Sequence, residues 1–110
     1  MIRVTLFKNK LGFYGFKSKG HAEYDDAGKD IVCAAVSILT HTAYKSCIVN
    51  CNLKKSDYKS NMNDDGYMDF YSNVQNEKID LILKTLLEGV KSLQESYGQY
   101  VRLEMEEKDV

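Results

Sequence analysis

A chain of 110 residues, 44% of them hydrophobic, supports one modest core, and it reads as a single domain over residues 1–110. Its 15 Lys and Arg against 16 Asp and Glu leave a formal charge of -1 with no run of five like charges, which argues against direct nucleic-acid binding. The apolar runs IVCAAV and LIL are far short of a membrane span, no signal-like segment opens the chain, and its three cysteines read as free thiols; the expectation is a cytoplasmic protein with no membrane partner.

Residues 1–8 alternate, Ile2, Val4 and Leu6 on one face and Arg3, Thr5 and Phe7 on the other, which is the period of a half-buried strand. After a turn around 9–11, residues 12–19 form its return strand. From residue 30 the period changes. Ile31, Ala34, Ala35, Ile38, Leu39, Thr42, Ser46, Val49 and Leu53 recur at helical spacing and predict a helix over 30–52. Its end has a second reading, because the β-branched Ile48 and Val49 suit SCIVNCNL to a strand, although so long a run of helical spacing favours the helix.

Residues 57–63 alternate again and run into Asp65-Gly66, a two-residue hairpin signal, with 67–71 as the partner strand. Tyr58, Tyr67 and Tyr71 read as packing on the strand faces. A second helix opens at Asn76 or Glu77, carries the stripe Ile79, Ile82, Leu83, Leu86, Val90, Leu93 and Tyr97, and ends with Gly98 just past its last turn. In the last strand Val101, Leu103 and Met105 point inward, Arg102 and Glu104 outward. This order predicts an α+β fold: a small mixed or antiparallel sheet with two helices packed on one face. Since the chain has no proline, glycine is the strong breaker, and Gly20 and Gly28 bracket the loop from His21 to the first helix.

The chemistry concentrates in KGHAEYDDAGKDIVCAAVS, residues 19–37. Asp30 is a good N-cap, which places Cys33 in the first helical turn, where the positive helix end and nearby N–H groups favour a thiolate. Ala34 and Ala35 leave room for a substrate backbone, and free N–H groups at the same terminus offer to hold an oxyanion. The loop histidine His21, twelve residues upstream, can fold back as the base, whereas His41 lies about 12 Å further along a continuous helix. The loop EYDDAGK has no evident packing residue and reads as a mobile lid hinged at Gly20 and Gly28. A lone cysteine in an apolar helix is nevertheless more often a small buried hydrophobe than a nucleophile. Neither a dithiol redox site nor a cysteine phosphatase loop is supported, since Val36 and Leu39 occupy the positions these need. Cys47 and Cys51 share a helical face and with His41 offer a zinc reading, but the spacing is not a usual zinc pattern and buried thiols explain it.

Gly20-His21-Ala22, the twelve-residue interval, and G-x-D-I-V-C-A-A-V-S from Gly28 to Ser37 together resemble the ribosomal-processing cysteine protease family, Prp, also called YsxB-like. The C-terminal half is similar only in its pattern of hairpin, helix and strand ending in YVRLEME. The resemblance implies a cysteine endopeptidase that removes an N-terminal extension from a large-subunit ribosomal protein, number twenty-seven, during ribosome assembly. It puts the nucleophile on Cys33 and the histidine on His21, and implies a homodimer, a flexible loop over 21–29 and a cleft with apolar walls; no cofactor or metal is expected. Gly20, Ala22, Ala34 and Ser37 are candidate cleft residues. Asp30 either orients His21 or caps the helix, with capping favoured. The competing reading is a non-catalytic module that grips a ribosomal protein, with Cys33 incidental.

Overall fold

The computed structural model describes residues 1–26 and 29–108. Strands β1 (Ile2–Asn9) and β2 (Gly12–Lys19) form a hairpin, helix α1 (Ile31–Asn50) and a short 3-10 turn (Lys55–Asp57) come next, and a second hairpin pairs β3 (Tyr58–Asn63) with β4 (Tyr67–Ser72). Helix α2 (Glu77–Tyr97) then leads to β5 (Val101–Glu107). The sheet order is β3-β4-β2-β1-β5. All neighbours are antiparallel except β1 and β5, which run parallel with Ile2 opposite Val101, so the sheet is mixed and the fold is α+β.

Both helices cover the sheet face that carries Ile2, Val4, Leu6, Phe16 and Phe70; Val32, Val36, Ile79, Leu83 and Val90 close over it. On the opposite face Phe7 is also buried, between the rings of Tyr14 and Tyr71, with the Lys108 ammonium 5.4 Å from its centroid. Tyr58 belongs to the helix-covered side, edge-on to Tyr44 and tilted against Phe70, while Tyr67 and Tyr71 alternate onto the open side.

The first helix turns a different face inward from the one its spacing suggested. Val32, Val36, Thr40, Ala43 and Cys47 are buried, whereas Ile31, Ile38 and Val49 are 55%, 65% and 60% exposed. The physical reason is composition. Lys45 is the only acidic or basic residue between Ile31 and Asn50 apart from His41, so the helix is apolar nearly all round and two stripes compete for the core. By length and composition this helix could cross a bilayer, a property the short apolar runs concealed; here its inner stripe seats against the sheet and α2. The strand alternative for SCIVNCNL does not form. Helix α1 runs through Asn50 with Cys51 as its C-cap.

Smaller corrections concern the ends of elements. Asp57 belongs to the 3-10 turn, where its carboxylate accepts the Lys54 amide, and β3 starts one residue later. The β3–β4 connection has three residues, Asp64 to Gly66, because Asn63 pairs with Tyr67; Gly66 takes the left-handed φ of +74° such a loop needs. Gly98 ends α2 in a right-handed conformation, φ -59°, so it serves as the cap itself. Met105, expected inward, is 53% exposed, as burial falls away along β5 after Glu104.

Candidate active site

The site is built where β2 leaves the sheet. Gly20 adopts φ +106°, a conformation that side chains resist, and its amide donates to the Gly66 carbonyl at 2.9 Å. The next carbonyl, that of His21, accepts the Met1 ammonium at 2.6 Å. Ala22 is buried rather than lining a cleft, and Glu23 sits at φ +58°, an uncommon value for a non-glycine residue that turns the chain back toward α1.

Asp30 ties the loop to the helix. Its Oδ1 accepts the amides of Val32 and Cys33 at 3.0 and 2.9 Å, and its Oδ2 accepts those of Tyr24 and Asp25 at 3.0 and 3.4 Å. It therefore caps α1 and pins the loop at once, and it makes no hydrogen bond to His21 among the described residues. Partial desolvation raises its pKa, but the hydrogen bonds from Cys33, Tyr24 and Asp25 outweigh that and hold the carboxyl below its ordinary range.

This arrangement changes two expectations. The Val32 and Cys33 amides are already taken by Asp30, and the Ala34 amide by the Asp30 carbonyl at 3.1 Å, so these three helix-start donors are not free to receive an oxyanion. The loop also has an apolar anchor: the Tyr24 ring meets Tyr97 and Tyr100 edge-on, at centroid distances of 5.6 and 5.1 Å. Gly28, the expected second hinge, lies outside the described residues.

Cys33, half-buried in the first turn of α1, receives the Ala22 amide on its sulfur at 3.4 Å. His21 places Nε2 3.3 Å from Asp65 Oδ1, in the β3–β4 turn. No direct hydrogen bond joins His21 to Cys33 among the described residues, but both border the same two depressions. One, of about 270 Å³, has Ile2, Val36 and Met68 among its walls together with Gly20, Ser37, Thr40, His41 and Asp64. The other, of about 610 Å³, is bounded by Glu23, Asp25, Asp30, Ala34 and Ser37. His21, Cys33 and Ser37 are common to both, so the thiol stands where an extended chain crossing from one depression to the other would pass.

His41, two turns beyond Cys33 by residue count, nevertheless lines the smaller depression. Distance along the axis does not remove a side chain from a cleft that runs beside the helix. Tyr67 borders the same depression, but its hydroxyl donates to Asp69 at 2.5 Å; that bond, with burial and the carboxylate charge, pushes its pKa up to about 12. The zinc reading has no support in the geometry: Cys47 is wholly buried, and His41, Cys47 and Cys51 form no metal-holding group among the described residues. Asp65 is the site residue that sequence reasoning missed, because in the chain it reads as turn grammar; its spacing from His21 carries no signal.

Known proteins resemble this chain in sequence and in fold. A family model described as cysteine protease Prp matches residues 1–102. The ribosomal processing cysteine protease Prp of Staphylococcus aureus is 27% identical over 84 residues, which cover 76% of this chain and 78% of that protein. A crystal structure of the S. aureus protease Prp with a covalently linked product peptide superposes with a TM-score of 0.83 at 28% identity, covering 96% of this chain and all of that one. The same enzyme with a substrate peptide gives 0.77 at 27% identity, with the same coverage, and a Streptococcus mutans protein gives 0.79 at 28%, covering 98% of this chain and 96% of its own.

Proposed function

The chain belongs to the cysteine protease Prp family, and from that premise we propose that it is a ribosomal-processing endopeptidase that removes the N-terminal extension of large-subunit ribosomal protein number twenty-seven. The observation that carries the reading is the Ala22 amide on the Cys33 sulfur, which brings the residue next to His21 against the thiol at the junction of two depressions. This N–H group donates to the sulfur, whereas the Val32, Cys33 and Ala34 amides of the helix start are taken by Asp30.

In this mechanism His21 takes the thiol proton and the Cys33 sulfur attacks the scissile carbonyl, forming the C–S bond. The tetrahedral intermediate collapses with cleavage of the C–N bond, and the imidazolium returns its proton to the leaving amine. Water, deprotonated by the same imidazole, then releases the acyl group and regenerates the thiol. Ile2, Val36 and Met68 give the smaller depression an apolar base for the residues beside the cut, and Glu23, Asp25, Asp30 and Asp64 give the rims negative charge, which suits a basic ribosomal-protein segment.

The same reading includes a homodimer acting in the cytoplasm. The exposed apolar stripe Ile31, Ile38 and Val49 on α1 supports self-association, and the three free cysteines suit a reducing compartment. The test is to incubate the purified protein with the extended precursor and follow the mass of the product. Loss of the extension in the parent, with none in Cys33→Ala, is the expected result. An intact precursor rejects the assigned substrate.

A further inference from the structure

The β3–β4 turn supplies no reacting group, yet it holds His21 at three points. Gly66 accepts the Gly20 amide at 2.9 Å and so fixes the residue before the histidine. The imidazole lies against the bare α-carbon of Gly66; a Cβ built there would come within 3.0 Å of Cε1 and 3.1 Å of Nε2. Asp65 then presents Oδ1 at 3.3 Å from Nε2, while its own amide donates to Asn63 Oδ1 at 2.8 Å and closes the turn.

We infer that Asp65 is the positioning residue of this site: its carboxylate accepts Nε2–H of His21, which leaves Nδ1 as the nitrogen that takes the thiol proton. The inference rests on the reading of His21 and Cys33 as the reacting pair. The choice of nitrogen follows by exclusion: with Nε2 turned to Asp65 at 3.3 Å, Nδ1 is the ring nitrogen left for the thiol, whose sulfur is 3.4 Å from Ala22 N, the peptide nitrogen that joins Ala22 to His21. Asp30 is not available for the task, since both its oxygens are engaged by main-chain amides.

Proton movement is simple in this arrangement. The proton leaves Sγ for Nδ1, the ring becomes an imidazolium with N–H at both nitrogens, and Asp65 faces the one that was protonated from the start; no proton passes to the carboxylate. Exposure limits the size of the effect. The Asp65 side chain is 95% exposed and the His21 side chain 55%, so water screens the pair and its influence on rate is severalfold rather than thousandfold.

Ring-nitrogen NMR of the Cys33→Ala protein at neutral pH reads the tautomer without turnover, with His41 as an internal reference. The neutral His21 ring is expected as the Nε2–H form in this parent, as a mixture of tautomers after Asp65→Ala, and again as the Nε2–H form after Asp65→Asn, whose amide oxygen still accepts. In the active enzyme Asp65→Ala should lower kcat about three- to fivefold with KM unchanged, the range an exposed pair allows, and Asp65→Asn should restore most of it. Identical tautomer populations in the parent and Asp65→Ala, or an Asn variant no better than the Ala variant, overturn the assignment. If the parent fails to cleave the precursor, the assigned substrate falls on that result, while the NMR comparison still decides whether Asp65 sets the tautomer.

Discussion

The Ala22 amide donates to the Cys33 sulfur across 3.4 Å, while one residue earlier the His21 imidazole is held by Asp65 at 3.3 Å. The loop strand between β2 and α1 therefore touches the thiol through its main chain and meets the β3–β4 turn through its side chain. Single substitutions can separate each of these contacts from the rest.

Removing the sulfur tests the nucleophile. Cys33→Ala and Cys33→Ser should both drop precursor cleavage below detection, since a hydroxyl at this place is not ionised at neutral pH, while circular dichroism stays that of the parent. Turnover by either variant would exclude Cys33 as the attacking group.

The two histidines should behave differently because only His21 borders both depressions that meet at the thiol. His21→Ala should lose about 10²- to 10⁴-fold in kcat, the usual contribution of a general base. His41, a wall residue of the smaller depression, should raise KM when changed to Ala and leave kcat within about twofold, as loss of uniform binding does. Equal falls in kcat for both would give His41 a chemical role.

Asp30 joins four backbone amides, so Asp30→Ala should lower Tm by a few degrees and also slow cleavage by releasing the loop. The lowered pKa of Asp30 makes this contribution depend on pH. The folded state favours the carboxylate more than the unfolded chain does, so the contribution is complete above the ordinary Asp range and disappears as pH falls through the lower folded value. The Tm difference between parent and Asp30→Asn should accordingly shrink between about pH 6 and about pH 2. A constant difference would mean that packing, not charge, makes the cap.

The loop itself should exchange slowly at particular amides in the free protein. Tyr24 and Asp25 N–H groups both donate to Asp30, and the Tyr24 ring is seated on Tyr97 and Tyr100. Hydrogen exchange should find these two amides protected before substrate is added, with Tyr24→Ala abolishing the protection. Fast exchange in the parent would restore the mobile-lid picture.

Thiol labelling distinguishes the cysteines. Cys47 is wholly buried, and burial, with Cys51 nearby, pushes its pKa up to about 12, so iodoacetamide at neutral pH should leave it unmodified in the folded protein while Cys33 reacts. Peptide mass mapping after partial reaction gives the order. Modification of Cys47 ahead of Cys33 would remove the case for an activated site thiol.

Local grammar made much of this fold legible. The first hairpin is written in alternation, α2 in a stripe with strong polar contrast, and the capping position of Asp30 in an acidic residue just before an apolar run. The inward face of α1 was not legible, because a helix whose one permanently charged side chain is Lys45 offers little contrast to read. Nor was the second pair of hydrogen bonds that Asp30 accepts, the Tyr97 and Tyr100 seat under Tyr24, or the approach of Asp65 to His21. The first is an irregular loop contact and the other two join residues distant in the chain, and side-chain period carries no information about either kind of pairing.

The parallel pairing of β5 with β1 sets when the site is finished. These strands stand at opposite ends of the chain, and Tyr97 and Tyr100, which seat the loop beside the thiol, lie at the end of α2 and just before the start of β5. Joining first strand to last is a closure of high contact order, which slows folding relative to the two local hairpins. During synthesis both hairpins and α1 emerge well before this last strand, so the thiol and its histidine are present on a nascent chain whose loop still lacks its aromatic seat. A growing chain thus holds every reacting group of the site before it holds the support that keeps the loop in place.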